Sequence, residues 1–175
     1  GLVLLDAHAD ARAEYVGERD GNGVGVRLKP DPYADSCSPF RRALEEGLVD
    51  PSRSFLAGMR GGVYGPEDAG MPASLGFEAI ACDELVALTP EAYAARVRAR
   101  VGDGPLFLSF DVDVLDPAFA PGTGTPEAGG LSTREALGYL RALRGLRFAG
   151  YDVVEVSPPY DGPGQPTAVA AANVA

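Results

Sequence analysis

Asp6, His8 and Asp10 stand two residues apart, directly after the apolar run Leu2-Val3-Leu4-Leu5. An extended chain has a period of two, so this spacing predicts three side chains on one side of a strand end. Two carboxylates and an imidazole facing one way are a ligand set for a divalent cation. The stretch "LFLSFDVDVLDP" (106–117) repeats the arrangement: an apolar strand runs into Asp111 and Asp113, again two apart. In a parallel α/β sheet ligands collect at the carboxyl ends of the strands, which puts both clusters at one sheet edge. Four carboxylates with one imidazole suit Mn²⁺ or Mg²⁺ better than zinc. Carboxylates packed that closely repel one another unless cations neutralise them, and two divalent ions would do so. An Asp that follows a strand also serves as a helix cap or a turn former. It is the pairing of two such clusters that favours the metal reading. Glu155, at the tip of the apolar stretch 148–156, is an acidic residue on a buried strand. It either pairs structurally with an arginine or binds a cationic substrate.

The elements that must position these residues alternate between strand and helix. Leu2 to Leu5 reads as a short buried strand, and 53–62, 77–82, 105–110 and 148–156 as four more. "SPFRRALEEG" (38–47) reads as a helix with Ser38 as N-cap and Pro39 at its first position. "TPEAYAARVRARVG" (89–102) is capped by Thr89 and stopped by Gly102. "STREALGYLRALRG" (132–145) carries a capping box from Ser132 to Glu135, and a further helix begins within "TAVAAANVA" (167–175). The fold class expected is α/β, three layers of α/β/α around a parallel sheet, forming one domain over 1–175 that is incomplete at both ends. The irregular stretch 11–38, rich in glycine turns, is expected to cover the site mouth as a lid.

The bulk properties narrow the partners. The chain has 175 residues and a net charge of −10, which disfavours nucleic acid and anionic membranes. No apolar run reaches the ~20 residues of a membrane span. Cys37 and Cys82 form no metal-type spacing and read as reduced thiols of a cytoplasmic protein. Lys29 is the sole lysine among 15 basic residues, a bias we read as genomic.

Several stretches together resemble the signature blocks of the ureohydrolases, the family of arginase, agmatinase and the guanidino-acid hydrolases. They are "DAHAD" (6–10), "SFDVDVLDPAFAPGTGTPEAGGLS" (109–132) and "DVVEVSPPYD" (152–161), with "SPFRRALEEGLVDP" (38–51) and "GMRGG" (58–62) in the right order. The block at 121–127 is most similar to the agmatinase branch. The resemblance implies two Mn²⁺ ions bridged by Asp6 and Asp111, with Asp10 on one ion and His8 and Asp113 on the other. A hydroxide between the ions would attack a substrate guanidinium, giving urea and an amine. Glu155 matches the carboxylate that holds the guanidinium in line. The resemblance further implies a small guanidino substrate, agmatine or a guanidino acid, and a homo-oligomer.

The chain departs from the family pattern twice. A further metal-ligand histidine belongs to a block upstream of Asp6, and His8 is the sole histidine here; a missing N-terminus is the expectation. The family's proton-relaying histidine in a His-Gly-Thr-x-Phe block is replaced by Ser36, which leaves proton transfer to Asp10, water or another group. Ser36 motivates the alternative reading, a catalytically impaired homologue acting as a subunit or binding protein. A two-metal phosphoesterase would need several more histidines. Arg12, two residues after Asp10, either binds a substrate carboxylate, which favours a guanidino acid over agmatine, or forms an ordinary surface salt bridge.

Overall fold

A computed structural model describes residues 1–11, 38–61 and 68–175. Arg12, Ser36, Cys37 and all of the expected lid but its end residues Ala11 and Ser38 lie outside the described residues. Five strands, β1 (Leu2–Leu5), β2 (Phe55–Met59), β3 (Glu78–Ala81), β4 (Leu106–Asp111) and β5 (Phe148–Val154), form one sheet in the order β3-β2-β1-β4-β5. Every pairing is parallel. The chain steps outward from β1 through β2 to β3, then crosses back to the far side of β1 to lay down β4 and β5. The strand order therefore reverses between β1 and β4, and that reversal opens a crevice beyond their carboxyl ends, the place where such sheets bind ligands.

Alternation along β1 divides the core in two. Val3 and Leu5 join the larger core with Phe55, Phe110, Leu85, Tyr93, Val97 and Tyr139, while Leu2 and Leu4 face Leu56, Phe77, Phe40 and Leu44. Helix α1 (Pro39–Glu45) covers the second face, together with Leu75 at the end of α2 (Met71–Ser74). The first face carries α3 (Cys82–Val86), α4 (Pro90–Val101), α5 (Thr133–Ala142) and α6 (Pro166–Val174). This is the three-layer α/β/α arrangement. All four β1 side chains are buried, as a central parallel strand requires.

The helix punctuation follows local chemistry in two cases and departs from it in two. Thr89 accepts from Ala92 N at 3.2 Å, and Ser132 and Glu135 form the reciprocal capping box. Ser38 precedes Pro39 at the start of α1 but makes no side-chain cap bond to it. Cys82, expected to end a strand, instead begins α3, whose first turn carries Asp83 and Glu84 where the helix dipole favours them. Among the described residues no helix is long and apolar enough to cross a membrane.

Candidate metal centre

The register between β1 and β4 builds the site. Leu5 pairs with Phe110, so Asp6 and Asp111 are the next residues on neighbouring strands, about 4.8 Å apart by strand spacing. Both are almost fully buried, at 1% and 2% exposure.

The remaining candidates reach the crevice by turns and not by continued extension, which corrects the period-two expectation. Asp113 lies in a 3₁₀ turn, Val112–Val114, because its own N–H donates to Asp111 Oδ1 at 2.8 Å. On the other side His8 N donates to Asp6 Oδ1 at 2.6 Å, closing the analogous loop after β1. Ala7 N donates across to Asp113 Oδ1 at 3.0 Å and ties the two turns together. Asp10 has φ 46° and so sits in the left-handed region, as does Glu155 at φ 61°. Non-glycine residues hold such φ values at a cost of order 1–3 kcal/mol, and they collect at functional sites.

The result is a compact donor group. Asp6, His8 and Asp113 each offer a ligand atom, all within 4.8 Å of one another. His8 Nδ1 lies 2.9 Å from Asp113 Oδ2 and 3.5 Å from Asp6 Oδ1. Asp111 and Asp10 lie outside that trio but act on it electrostatically. Glu155, exposed at its strand tip, makes itself felt at Asp10, and its Oε2 lies 3.8 Å from the position of a Cβ built on Gly124.

Charge crowding dominates the titration of the cluster. Burial, then the charges of Asp6 and Asp113, push the Asp111 carboxyl well above the usual carboxylate range. Burial followed by the Asp6 charge raises Asp10 to about 8. Burial also raises Asp6, against the hydrogen bond from His8. Burial acts upward on Asp113 too, but its hydrogen bond with His8 and the charge of that ring outweigh it, so its carboxyl is held below the usual range. His8 is raised to about 11, chiefly by its hydrogen bonds with Asp113 and then Asp6. Without a cation the imidazole therefore holds its proton strongly, with Nδ1 turned to Asp113 and Asp6. Buried carboxylates that must retain protons, grouped around an imidazole nitrogen, have the chemistry of a divalent-cation site, and a cation entering there displaces protons.

Three residues around this group carried no assignment from sequence. Thr125 Oγ1 donates to Asp113 Oδ2 at 3.2 Å. Glu127 Oε1 stands 3.7 Å from His8 Nε2. Arg60 bonds the carbonyls of Asp113, Leu115, Glu127, Ala128 and Gly58. None of the three lies at a strand end beside an alternating carboxylate, so no period pointed to them. Their one sequence signal was membership of the "GMRGG" and "GTGTPE" stretches.

The family model described as the Arginase family matches residues 1–175. The guanidinopropionase of Pseudomonas aeruginosa is 49% identical over 161 residues, spanning 92% of this chain and 46% of that protein. The guanidinobutyrase of the same organism is 42% identical over 174 residues, 99% of this chain and 50% of that protein. A crystal structure of a hypothetical agmatinase from Burkholderia thailandensis superposes with a TM-score of 0.80 at 36% identity, covering 99% of this chain and 48% of that one. The chain spans about half the length of the curated relatives it matches.

Proposed function

The chain belongs to the arginase family, and from that premise we propose that it forms part of a hydrolase that cleaves a guanidino compound to urea and an amine. The observation that supports this reading most directly is the group of Asp6, His8 and Asp113 at the strand-order reversal, with His8 Nδ1 between two carboxylates. In this reading Asp6, Asp10, Asp111, Asp113 and His8 hold two divalent cations, Mn²⁺ by preference for an oxygen-rich set. Such ions, when bound, supply a hydroxide nucleophile near neutral pH by lowering the pKa of water.

The chain's own residues do the rest. Glu155 accepts hydrogen bonds from the substrate guanidinium and holds its carbon towards the carboxylate cluster. Net addition of one water breaks the bond between that carbon and the alkyl-bearing nitrogen, which leaves as an amine and needs a proton. With Ser36 in place of the family's relaying histidine, Asp10 is the group proposed to pass it on, as a carboxylate that takes up the proton released by the attacking water. Single proton transfers of this kind contribute ~10²–10⁴-fold.

For the substrate class we favour a guanidino acid, which two of the related proteins act on by name, guanidinopropionase and guanidinobutyrase. Arg12 is the residue proposed to meet the carboxylate. Urea release from guanidinopropionate, guanidinobutyrate and agmatine by the full-length protein with Mn²⁺ tests this reading. Turnover of at least one guanidino acid above agmatine is expected. Mn²⁺ binding without urea release from any of them would instead favour the impaired homologue that Ser36 suggests.

A further inference from the structure

His8 presents two nitrogens, and their surroundings differ. Nδ1 faces Asp113 and Asp6, whereas Nε2 points away from them towards Glu127 Oε1 at 3.7 Å. The Cδ2–Nε2 side of the ring packs against Gly61, where an added Cβ would stand 2.4 Å from Cδ2 and 2.7 Å from Nε2. A wall on one side leaves the ring's orientation to be set by what each nitrogen meets. A carboxylate on the far nitrogen of a metal-binding imidazole fixes its tautomer and raises its basicity.

Glu127 is itself held. Arg60 Nη2 donates to Glu127 O and to Asp113 O, each at 2.7 Å, and Arg60 Nε donates to Ala128 O at 3.2 Å. The backbone of the same segment reaches the other strand end, since Arg60 N and Gly61 N both donate to Ala7 O at 2.9 Å. One short stretch after β2 thus fastens the residue before His8, the backbone of Asp113 and the backbone of Glu127. The loop passes so close that a Cβ on Gly130 would stand 2.3 Å from Arg60 Nη2. A guanidinium fork serves this purpose because its donors are fixed in one plane, which an ammonium cannot imitate.

We propose that Glu127 is a positioning residue for His8. Its carboxylate meets Nε2, and Arg60 fixes it there by gripping the 127–128 backbone. Nδ1 is thereby kept turned to Asp6 and Asp113. The inference rests on the reading that these three residues hold a divalent cation.

The test is Mn²⁺ binding to the full-length protein, followed by the paramagnetic resonance signal of free Mn²⁺ and by thermal melting in chelator. Glu127→Ala is expected to weaken the affinity of one ion by about 10–100-fold while the metal-free melting temperature stays unchanged. Glu127→Gln, which keeps an oxygen facing Nε2 without the charge, is expected to recover part of that loss. Arg60→Lys is expected to weaken binding in the parent and to add less than about twofold in the Glu127→Ala background, because the two act through one contact. Parent-like affinity in Glu127→Ala overturns the role of Glu127. A full, independent loss from Arg60→Lys in that background overturns the link to Arg60. Absence of Mn²⁺ binding by the parent overturns the proposed function itself, and this inference with it.

Discussion

His8 Nδ1 and Asp113 Oδ2 lie 2.9 Å apart although their residues stand at the ends of two different strands. The contact exists because β4 returns beside β1 in parallel, with Leu5 opposite Phe110. It joins the one imidazole of the chain to a carboxylate more than a hundred positions away, and the consequences can be measured.

The first concerns pH. Asp6, Asp10, Asp111 and His8 all bind protons more tightly in the folded chain than their ordinary values imply, with Asp10 raised to about 8 and His8 to about 11. Each contributes stability that is full below its unfolded pKa and is lost as pH rises through its folded one. Within the cluster only Asp113 is lowered, so its contribution is lost as pH falls below its ordinary value near 4. The metal-free protein should therefore melt several degrees lower at pH 9 than at pH 5, given roughly 2–4 °C per kcal/mol at this size. Saturating Mn²⁺ should remove or reverse the slope. Melting in chelator that is flat or rises between these pH values would contradict it.

Asp111→Asn should split stability from binding. The amide keeps an oxygen to accept from Asp113 N and is neutral without a proton, whereas the parent carboxyl, raised by burial and by the charges of Asp6 and Asp113, must hold one on folding at high pH. Without metal the variant should melt above the parent at pH 9. Its Mn²⁺ affinity should fall at least tenfold by titration calorimetry.

Two glycines beside the site should fail in different ways. Gly58 has φ +106°, and a Cβ there would meet Val114 Cγ2 at 2.6 Å and Asp6 O at 2.9 Å. Gly58→Ala should lose about 1–3 kcal/mol in denaturant unfolding. Gly61 is not at positive φ, so Gly61→Ala should instead displace the His8 ring and weaken Mn²⁺ binding with a smaller loss of stability.

Glu155→Gln should leave the metal-free melting temperature and Mn²⁺ affinity near parental values, since the side chain is exposed. Urea release by the full-length protein should fall by about 10²-fold, the scale on which loss of a positioning group acts. Parental turnover would remove Glu155 from the proposed site.

The sequence by itself determined the strand–helix alternation, the caps at Thr89 and Ser132, and the two clusters of carboxylates at strand ends. Those features are local: they depend on residue type and short spacing, which propensity, capping and hydrophobic periodicity govern. The route by which Asp113 and Asp10 enter the crevice was not legible, because a 3₁₀ turn and a left-handed residue replace the extended chain that a period of two assumes. Nor could the sequence supply the environment of His8. Its neighbours Gly61, Asp113 and Glu127 come from separate loops, brought together by strand order and register. The role of Arg60 has the same origin. An arginine beside two glycines carries no mark of five carbonyl acceptors, four of which the fold delivers from a loop more than fifty residues away. Short-range sequence chose the groups capable of the chemistry, and the reversal of strand order between β1 and β4 decided which of them meet.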